Sequence, residues 1–310
     1  MIIFFIASGV AAFLLIAALI TAFVCFKRIF YGKRKQNTEE FPIPEGREYA
    51  PFREEMIKWM KDARALPHTD VEIRSHDGLT LRGKYYEYEK GAPLEILFHG
   101  YKGSSFRDLS GGIARCFSIG HNALIVDHRA SGSSEGRVIT FGVKESRDCL
   151  RWIDFAVKSI APDSKIIITG ISMGAATVML ASAEELPSNV IGVLADCGYT
   201  SAKEIIKKVI KEMGLPENFL YPFARLGGMI YGGFDVNRAD AEEALRRTKL
   251  PVIFFHGDTD DFVPHYMSVR NYEACASERK RLVTVKGAGH GLAYPCNKET
   301  YVSELKDFFG

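Results

Sequence analysis

No two of the six cysteines form a CxxC pair, and no cysteine–histidine spacing suits a zinc site. The six stand at positions 25, 116, 149, 197, 275 and 296, several in apolar or helical stretches. Thiols scattered in this way are expected to be buried and reduced rather than joined in a disulfide framework. A large charge of either sign is also missing. Lys and Arg total 40 against 38 Asp and Glu, a net charge of +2, which leaves no electrostatic argument for nucleic acid. Much of the positive charge is local: Lys27, Arg28, Lys33, Arg34 and Lys35 lie within nine positions, and the rest of the chain is slightly acidic. The remaining histidines, among them His68, His76, His121, His128 and His265, are scattered, and neither a metal nor an organic cofactor is expected.

Charge is absent altogether from Ile2 to Phe26, a run rich in Ile, Phe, Leu, Ala and Val. As a helix it would be about 37 Å long, enough to cross a hydrocarbon core of about 30 Å with some tilt. A cleaved signal peptide carries positive charge ahead of a shorter apolar stretch. Here the basic cluster follows the apolar run, so the positive-inside bias predicts a single-pass anchor with Lys27 onward in the cytoplasm. The opposite reading is a poorly cleaved signal sequence with an outward-facing domain. The expected division is an anchor over 1–26, a basic juxtamembrane segment and linker over 27–50, and a folded domain over 51–310.

Within that domain Phe52 to Leu66 has apolar residues at helical spacing. Val71–Arg74 and Leu79–Tyr86 flank the turn His76-Asp77-Gly78 and predict a hairpin. Short, continuously apolar runs follow at Leu94–Phe98, Ala123–Val126, Lys165–Thr169, Val190–Ala195, Pro251–Phe255 and Leu282–Val285. Helical patterns separate most of them, as a parallel sheet covered on both faces requires. The expected fold class is therefore α/β, a doubly wound and mostly parallel sheet of about eight strands behind an antiparallel hairpin. Between Asp196 and Pro251 the alternation stops. A basic helix over Ser201–Met213 and a glycine-broken aromatic segment predict a small helical cap over about 199–248. Phe219, Tyr221, Phe223, Met229 and Tyr231 are its candidates for an apolar substrate pocket.

Gly170-Ile171-Ser172-Met173-Gly174 lies between a strand-like and a helix-like segment. In that setting a serine sits on a sharp elbow, flanked by glycines because strand and helix approach too closely for a Cβ. A nucleophilic serine needs a base, and the base needs an orienting acid. His290, in the glycine-rich loop after the last strand, is the candidate base. The loop after the preceding strand, His256-Gly257-Asp258-Thr259-Asp260-Asp261-Phe262-Val263-Pro264, offers three acids.

With these motifs the chain resembles the α/β-hydrolase superfamily over nearly all of 70–310. It is most similar to serine-aminopeptidase-like and lysophospholipase-like members, including membrane-anchored ones. The resemblance implies that Asp260, at the aspartate of an HGxxDxxVP pattern, is the acid, with Asp196 at the end of an earlier strand as the alternative. It implies an oxyanion hole from the backbone N–H groups of Tyr101, in His99-Gly100-Tyr101-Lys102-Gly103, and of Met173. It also matches Asp127 to Gly136 to a supporting loop in which Ala130 replaces a glycine. The expected activity is hydrolysis of carboxylic esters with an apolar or lipid-like acyl group, through an acyl-enzyme, because the candidate cap is apolar and aromatic and no acidic cluster reserves a place for an α-ammonium group. Aminopeptidase, thioesterase and acyltransferase chemistry, and a non-catalytic membrane scaffold, stay open, because a triad alone does not distinguish leaving groups.

Overall fold

The computed structural model describes residues 2–32, 40–44 and 46–310; Lys33, Arg34, Lys35 and part of the expected linker lie outside the described residues. A long helix, α1 (Ile2–Ile29), comes first. A 3-10 turn over Arg47–Phe52 leads into α2 (Arg53–Ala65), and the hairpin of β1 (Thr69–Arg74) and β2 (Thr80–Tyr86) follows. Strand and helix then alternate through β3 (Leu94–Phe98), α3 (Ser105–Ser118), β4 (Asn122–Val126) and α4 (Glu145–Phe155). Next come β5 (Ile166–Ile171), α5 (Met173–Ala181) and β6 (Val190–Asp196). Three helices intervene, α6 (Ala202–Glu212), α7 (Glu217–Gly232) and α8 (Ala241–Leu245). The chain closes with β7 (Val252–Gly257), α9 (Tyr266–Ala274), β8 (Lys280–Val285), α10 (Ala293–Cys296) and α11 (Lys298–Phe309).

The eight strands form one sheet in the order β1-β2-β4-β3-β5-β6-β7-β8. β2 runs antiparallel to both neighbours, and every pairing from β4 to β8 is parallel. All residues of β3, β4 and β7 are buried, which explains their mostly apolar, non-alternating sequences. Alternate side chains feed opposite layers. Ile96, Leu124, Ile168 and Phe254 join Trp152 of α4 and Ala176 of α5 on one face. On the other, Leu97 and Ile125 meet Leu109 and Ile113 of α3, while Ile253 and Phe255 meet Leu305 and Phe308 of α11.

Two buried acids interrupt this packing, and they are held differently. Glu95 on β3 receives both Arg115 guanidinium nitrogens at 3.0 and 2.6 Å, with His121 at 3.0 Å and the Thr169 hydroxyl at 2.8 Å. Burial works against its ionisation, but Arg115 and His121 outweigh that and hold its carboxyl below the usual range. Asp196, at the end of β6, has only the Tyr301 hydroxyl, donating to Oδ2 at 2.9 Å, while Oδ1 has no partner.

The glycines of α7 do not break it. The helix runs unbroken through Gly227 and Gly228, because their bare faces let α1 lie against it. A Cβ on Gly227 would run into the Ala22 carbonyl of α1. Ala22, Phe26 and Phe30 are buried in this contact, with Phe30 edge-on to Phe141 and Phe234 at 5.7 and 5.1 Å. The end of α1 is also tied by backbone, through Gly32 N–H to Arg137 O and Ile139 N–H to Phe30 O. Further back, from Phe4 to Ile20, its large side chains are exposed except for the half-buried Leu19. Among the described residues α1 alone is long and apolar enough to cross a membrane.

Burial without a cationic partner pushes the Asp196 carboxyl up to about 6. A raised carboxyl favours the folded state only while it is protonated there, so its penalty is absent below about pH 4 and complete above about pH 6. Thermal unfolding of Asp196→Asn beside the parent chain is expected to show the parent losing about 3 kcal/mol relative to the variant across that window. Parallel curves would show that the carboxyl is not strained.

Candidate active site

β5 ends in a turn that the backbone holds under strain. Ser172 has φ 57° and ψ −114°, a conformation that side chains other than glycine rarely adopt. Packing enforces it. A Cβ on Gly174 would collide with the Phe98 carbonyl of β3, and one on Gly170 with the backbone of Gly174 itself. The elbow is pinned from the other side by Ser172 N–H donating to Asp196 O at 2.8 Å. The hydroxyl is thereby lifted above the carboxyl ends of the parallel strands, at the start of α5.

The loops after β5, β7 and β8 converge there. Ser172 Oγ lies 2.9 Å from His290 Nε2, and His290 Nδ1 lies 2.7 Å from Asp260 Oδ2. An ionised carboxylate only accepts, so Nδ1 carries the proton and Nε2 is free to accept from the serine hydroxyl. Asp260 is held by its own loop, its Oδ1 accepting from the N–H groups of Phe262 at 2.9 Å and Val263 at 2.8 Å. Burial opposes the charge on Asp260, but hydrogen bonds from His256 and His290 overcome it and keep the carboxyl below the usual range.

His256 and Tyr49 support these groups. His256 Nε2 lies 2.7 Å from the Val263 carbonyl and 3.1 Å from Asp260 Oδ2, so that nitrogen must be the donor. Its Nδ1, 2.5 Å from Ser268 Oγ, accepts in turn. Tyr49, in the 3-10 turn before α2, donates its hydroxyl to the His290 carbonyl at 2.9 Å. Nothing in its sequence context marks Tyr49, because its partner is 241 positions away. The other acids have different work. Asp258 Oδ1 receives Gly287 N–H at 2.6 Å, Asp261 offers its carbonyl to Lys208, and Asp196 bonds Tyr301.

The loop after β3 lies beside the elbow, and a Cβ on Gly100 would stand 3.5 Å from the Ser172 Cβ. Met173 is the first residue of α5, so its N–H has no acceptor within the helix. The Tyr101 phenol points away from the serine and donates to the Ile29 carbonyl at 2.5 Å, while Lys102 Nζ reaches the Arg28 carbonyl at 3.1 Å. Two of the open carbonyls at the end of α1 are thus capped from this loop. The segment Asp127 to Gly136 is a brace. Asp127 accepts from Ser105 and Ser133 N–H, both at 2.8 Å, and Arg129 forks onto Asp148 and Asp77. Ala130, in place of a glycine, takes φ 61°.

A cavity of about 220 Å³ opens beside Ser172 and His290. Its walls come from Met56 and Trp59 of α2, Leu109 of α3 and Tyr294 of α10, with Arg115 and Asp196 among its polar members. The cap aromatics are elsewhere, which corrects the expected pocket. None of Phe219, Tyr221, Phe223, Met229 and Tyr231 lines this cavity. Tyr221 is buried and bonds Asn237, Phe219 and Phe223 pack on each other, and Tyr231 turns to α1. Phe219 and Met229 stay exposed, and part of the wall that these residues were expected to form is supplied by Met56 and Trp59, from before β1. The helical insertion reaches the site only at its edge, where Lys208 bonds the Phe262 carbonyl at 3.0 Å and the Phe262 ring lies 5.0 Å from His290.

Among the described residues, the one acid–thiol–imidazole group with donor atoms close enough for a metal is Cys197, Asp260 and His290. Burial pushes the Cys197 thiol up, and both ring nitrogens of His290 already have partners, so this set suits proton transfer better than ligation.

Residues 96–228 match a family model described as the alpha/beta hydrolase fold. The Bacillus subtilis protein YqkD is 27% identical over 191 residues, covering 61% of this chain and 62% of that protein. Protein bem46 of Schizosaccharomyces pombe is 25% identical over 250 residues, covering 78% of this chain and 77% of the relative. The Pyrococcus furiosus esterase Pf2001 superposes with a TM-score of 0.65 at 23% identity, over 80% of this chain and 94% of its own. Est1E of Butyrivibrio proteoclasticus, solved with ferulic acid bound, gives 0.58 at 22% identity over 77% and 97%. Strand order, elbow and likeness agree on one architecture: the chain has the α/β-hydrolase fold.

Proposed function

We propose that this protein is a serine hydrolase acting on carboxylic esters, with Ser172 as nucleophile, His290 as general base and acid, and Asp260 as the orienting acid. The observation that carries the reading is the continuous chain of hydrogen bonds from Ser172 Oγ through His290 to Asp260, at 2.9 and 2.7 Å. His290 takes the hydroxyl proton as Oγ attacks the carbonyl, and the ionised Asp260 stabilises the imidazolium. The backbone N–H groups of Tyr101 and Met173 stabilise the oxyanion, a contribution that appears only as the tetrahedral state forms. His290 then protonates the leaving alcohol, and water activated by the same imidazole releases the acid.

The esterase name of the Pyrococcus structural neighbour supports ester over amide chemistry. The cavity is below the roughly 300–1,000 Å³ usual for small-molecule pockets, so it suits a short or slender apolar group. That narrows the lipid-like substrate expected from sequence to one whose enclosed portion is small. α1 is the membrane anchor in this reading, with the domain on the cytoplasmic side beside Lys27 and Arg28.

Replacing Ser172 by Ala is expected to abolish hydrolysis of p-nitrophenyl butyrate and labelling by a fluorophosphonate. Asp260→Asn should lower kcat by about 10⁴-fold, as loss of the acid does in other Ser-His-Asp enzymes. Retained turnover in the Ser172 variant would contradict the assignment. A second prediction concerns the wall. Trp59 stacks on Tyr294 with ring centroids 5.6 Å apart, and its removal lengthens the cavity. Trp59→Ala should raise kcat/KM for octanoate relative to acetate esters by about tenfold, measured as a ratio on one preparation. An unchanged ratio would place the acyl group elsewhere.

A further inference from the structure

We propose that the end of α7 is a second membrane-contacting element, and that Met229, Ile230 and Tyr231 rest against the acyl chains of the leaflet entered by α1. The inference rests on the reading of α1 as an anchor, and it follows from where the two helices touch. Lys27 and Arg28 are the first charged residues after the apolar run and belong in the headgroup layer. Each interfacial layer is about 5–7 Å thick, or about three to five helical residues, so the hydrocarbon edge crosses α1 near residues 22 to 24.

The domain reaches past that level. Gly227 of α7 packs on Ala22 and Phe26, and one turn further on Tyr231 donates its hydroxyl to the Leu19 carbonyl at 3.2 Å. The Tyr231 ring also meets the Phe23 ring at 5.2 Å and the Phe26 ring at 5.9 Å. As α7 runs from 227 to 231, its contacts move back along α1 from 26 towards 19, so its C-terminal end points into the bilayer. Leu19 is roughly 5 Å inside the hydrocarbon edge by the same rise, and what touches it is carried to that depth.

The exposed surface there fits the depth. Met229 and Ile230 are 48% and 50% exposed, an unusual amount for adjacent large apolar side chains. Tyr231 combines an apolar ring with a polar tip, the type of residue favoured at membrane interfaces. The chain then reverses at Gly233, and Phe234 returns to the core. The cationic groups lie where headgroups would be: Lys27 sits over the Tyr31 ring, Arg137 bonds the Tyr31 hydroxyl at 2.9 Å, and Lys102 caps Arg28. An apolar tip beyond a basic collar is the arrangement of an interfacial element on an anionic leaflet.

Depth-dependent fluorescence quenching of the full chain tests this. The protein is reconstituted into phosphatidylcholine–phosphatidylglycerol vesicles with bromine either near the ester end of the acyl chains, at the depth of residue 230, or near their methyl end, at the depth of residue 14. Native Trp59 and Trp152 provide the background signal. Ile230→Trp is expected to add emission that is blue-shifted and lost in brominated vesicles; Leu14→Trp is the control for the anchor. If the Leu14 variant is quenched and the Ile230 variant is not, the α7 contact is overturned and the anchor stands. If neither is quenched, both fall. Shielding of Trp at 230 from aqueous acrylamide without quenching by brominated lipid would mean that protein covers this tip, and would also overturn the proposal.

Discussion

The strained backbone at Ser172 is the constraint on which the site depends. A left-handed φ at a residue with a side chain costs of order 1–3 kcal/mol and persists only where surroundings over-determine it. Here the determinants are steric: α5 lies so close to β3 that position 174 has no room for a Cβ. The sheet presses the helix start against the strand end, and the serine has one remaining direction, outward. Histidine and acid need only loops of suitable length from β8 and β7, because the strand order sets β6, β7 and β8 successively to one side of β5. Ser172, Asp260 and His290 are distant in sequence and adjacent in space for this reason.

A second dependence runs from the front of the chain. Tyr49 holds the His290 carbonyl, α2 supplies one wall of the cavity, and Tyr101 and Lys102 cap the end of α1. Residues before β1 therefore complete the site. The one helix among the described residues that is long and apolar enough to cross a membrane is bonded directly to the loop beside Ser172.

The sheet was legible because its physics is local. β3 and β4 are buried on both faces, so their apolar runs need no periodicity to be recognised, and Gly170 answers to the backbone of Gly174 four positions on. α7 was misread for the opposite reason. Gly227 and Gly228 signal a break when read alone, and only the presence of α1 turns them into a groove. The cap aromatics carried the same ambiguity, since apolar spacing reports that a face is covered and not what covers it. Tyr49 and the cavity wall were silent because their meaning comes from partners more than two hundred positions away. Ala130 kept a glycine's φ of 61° without its residue type, so the motif survived a substitution in the loop that braces the site.

The central claim is that a serine hydroxyl, set by strain and paired with an imidazole, carries the acyl group between two half-reactions. Rapid acid quench during turnover of p-nitrophenyl butyrate, followed by peptide mass spectrometry, tests it most directly. A burst of nitrophenol equal to the enzyme present, with a butyryl group on the peptide containing Ser172, is the predicted result. Steady hydrolysis with no burst and no acylated peptide, even when the second step is slowed, would contradict it.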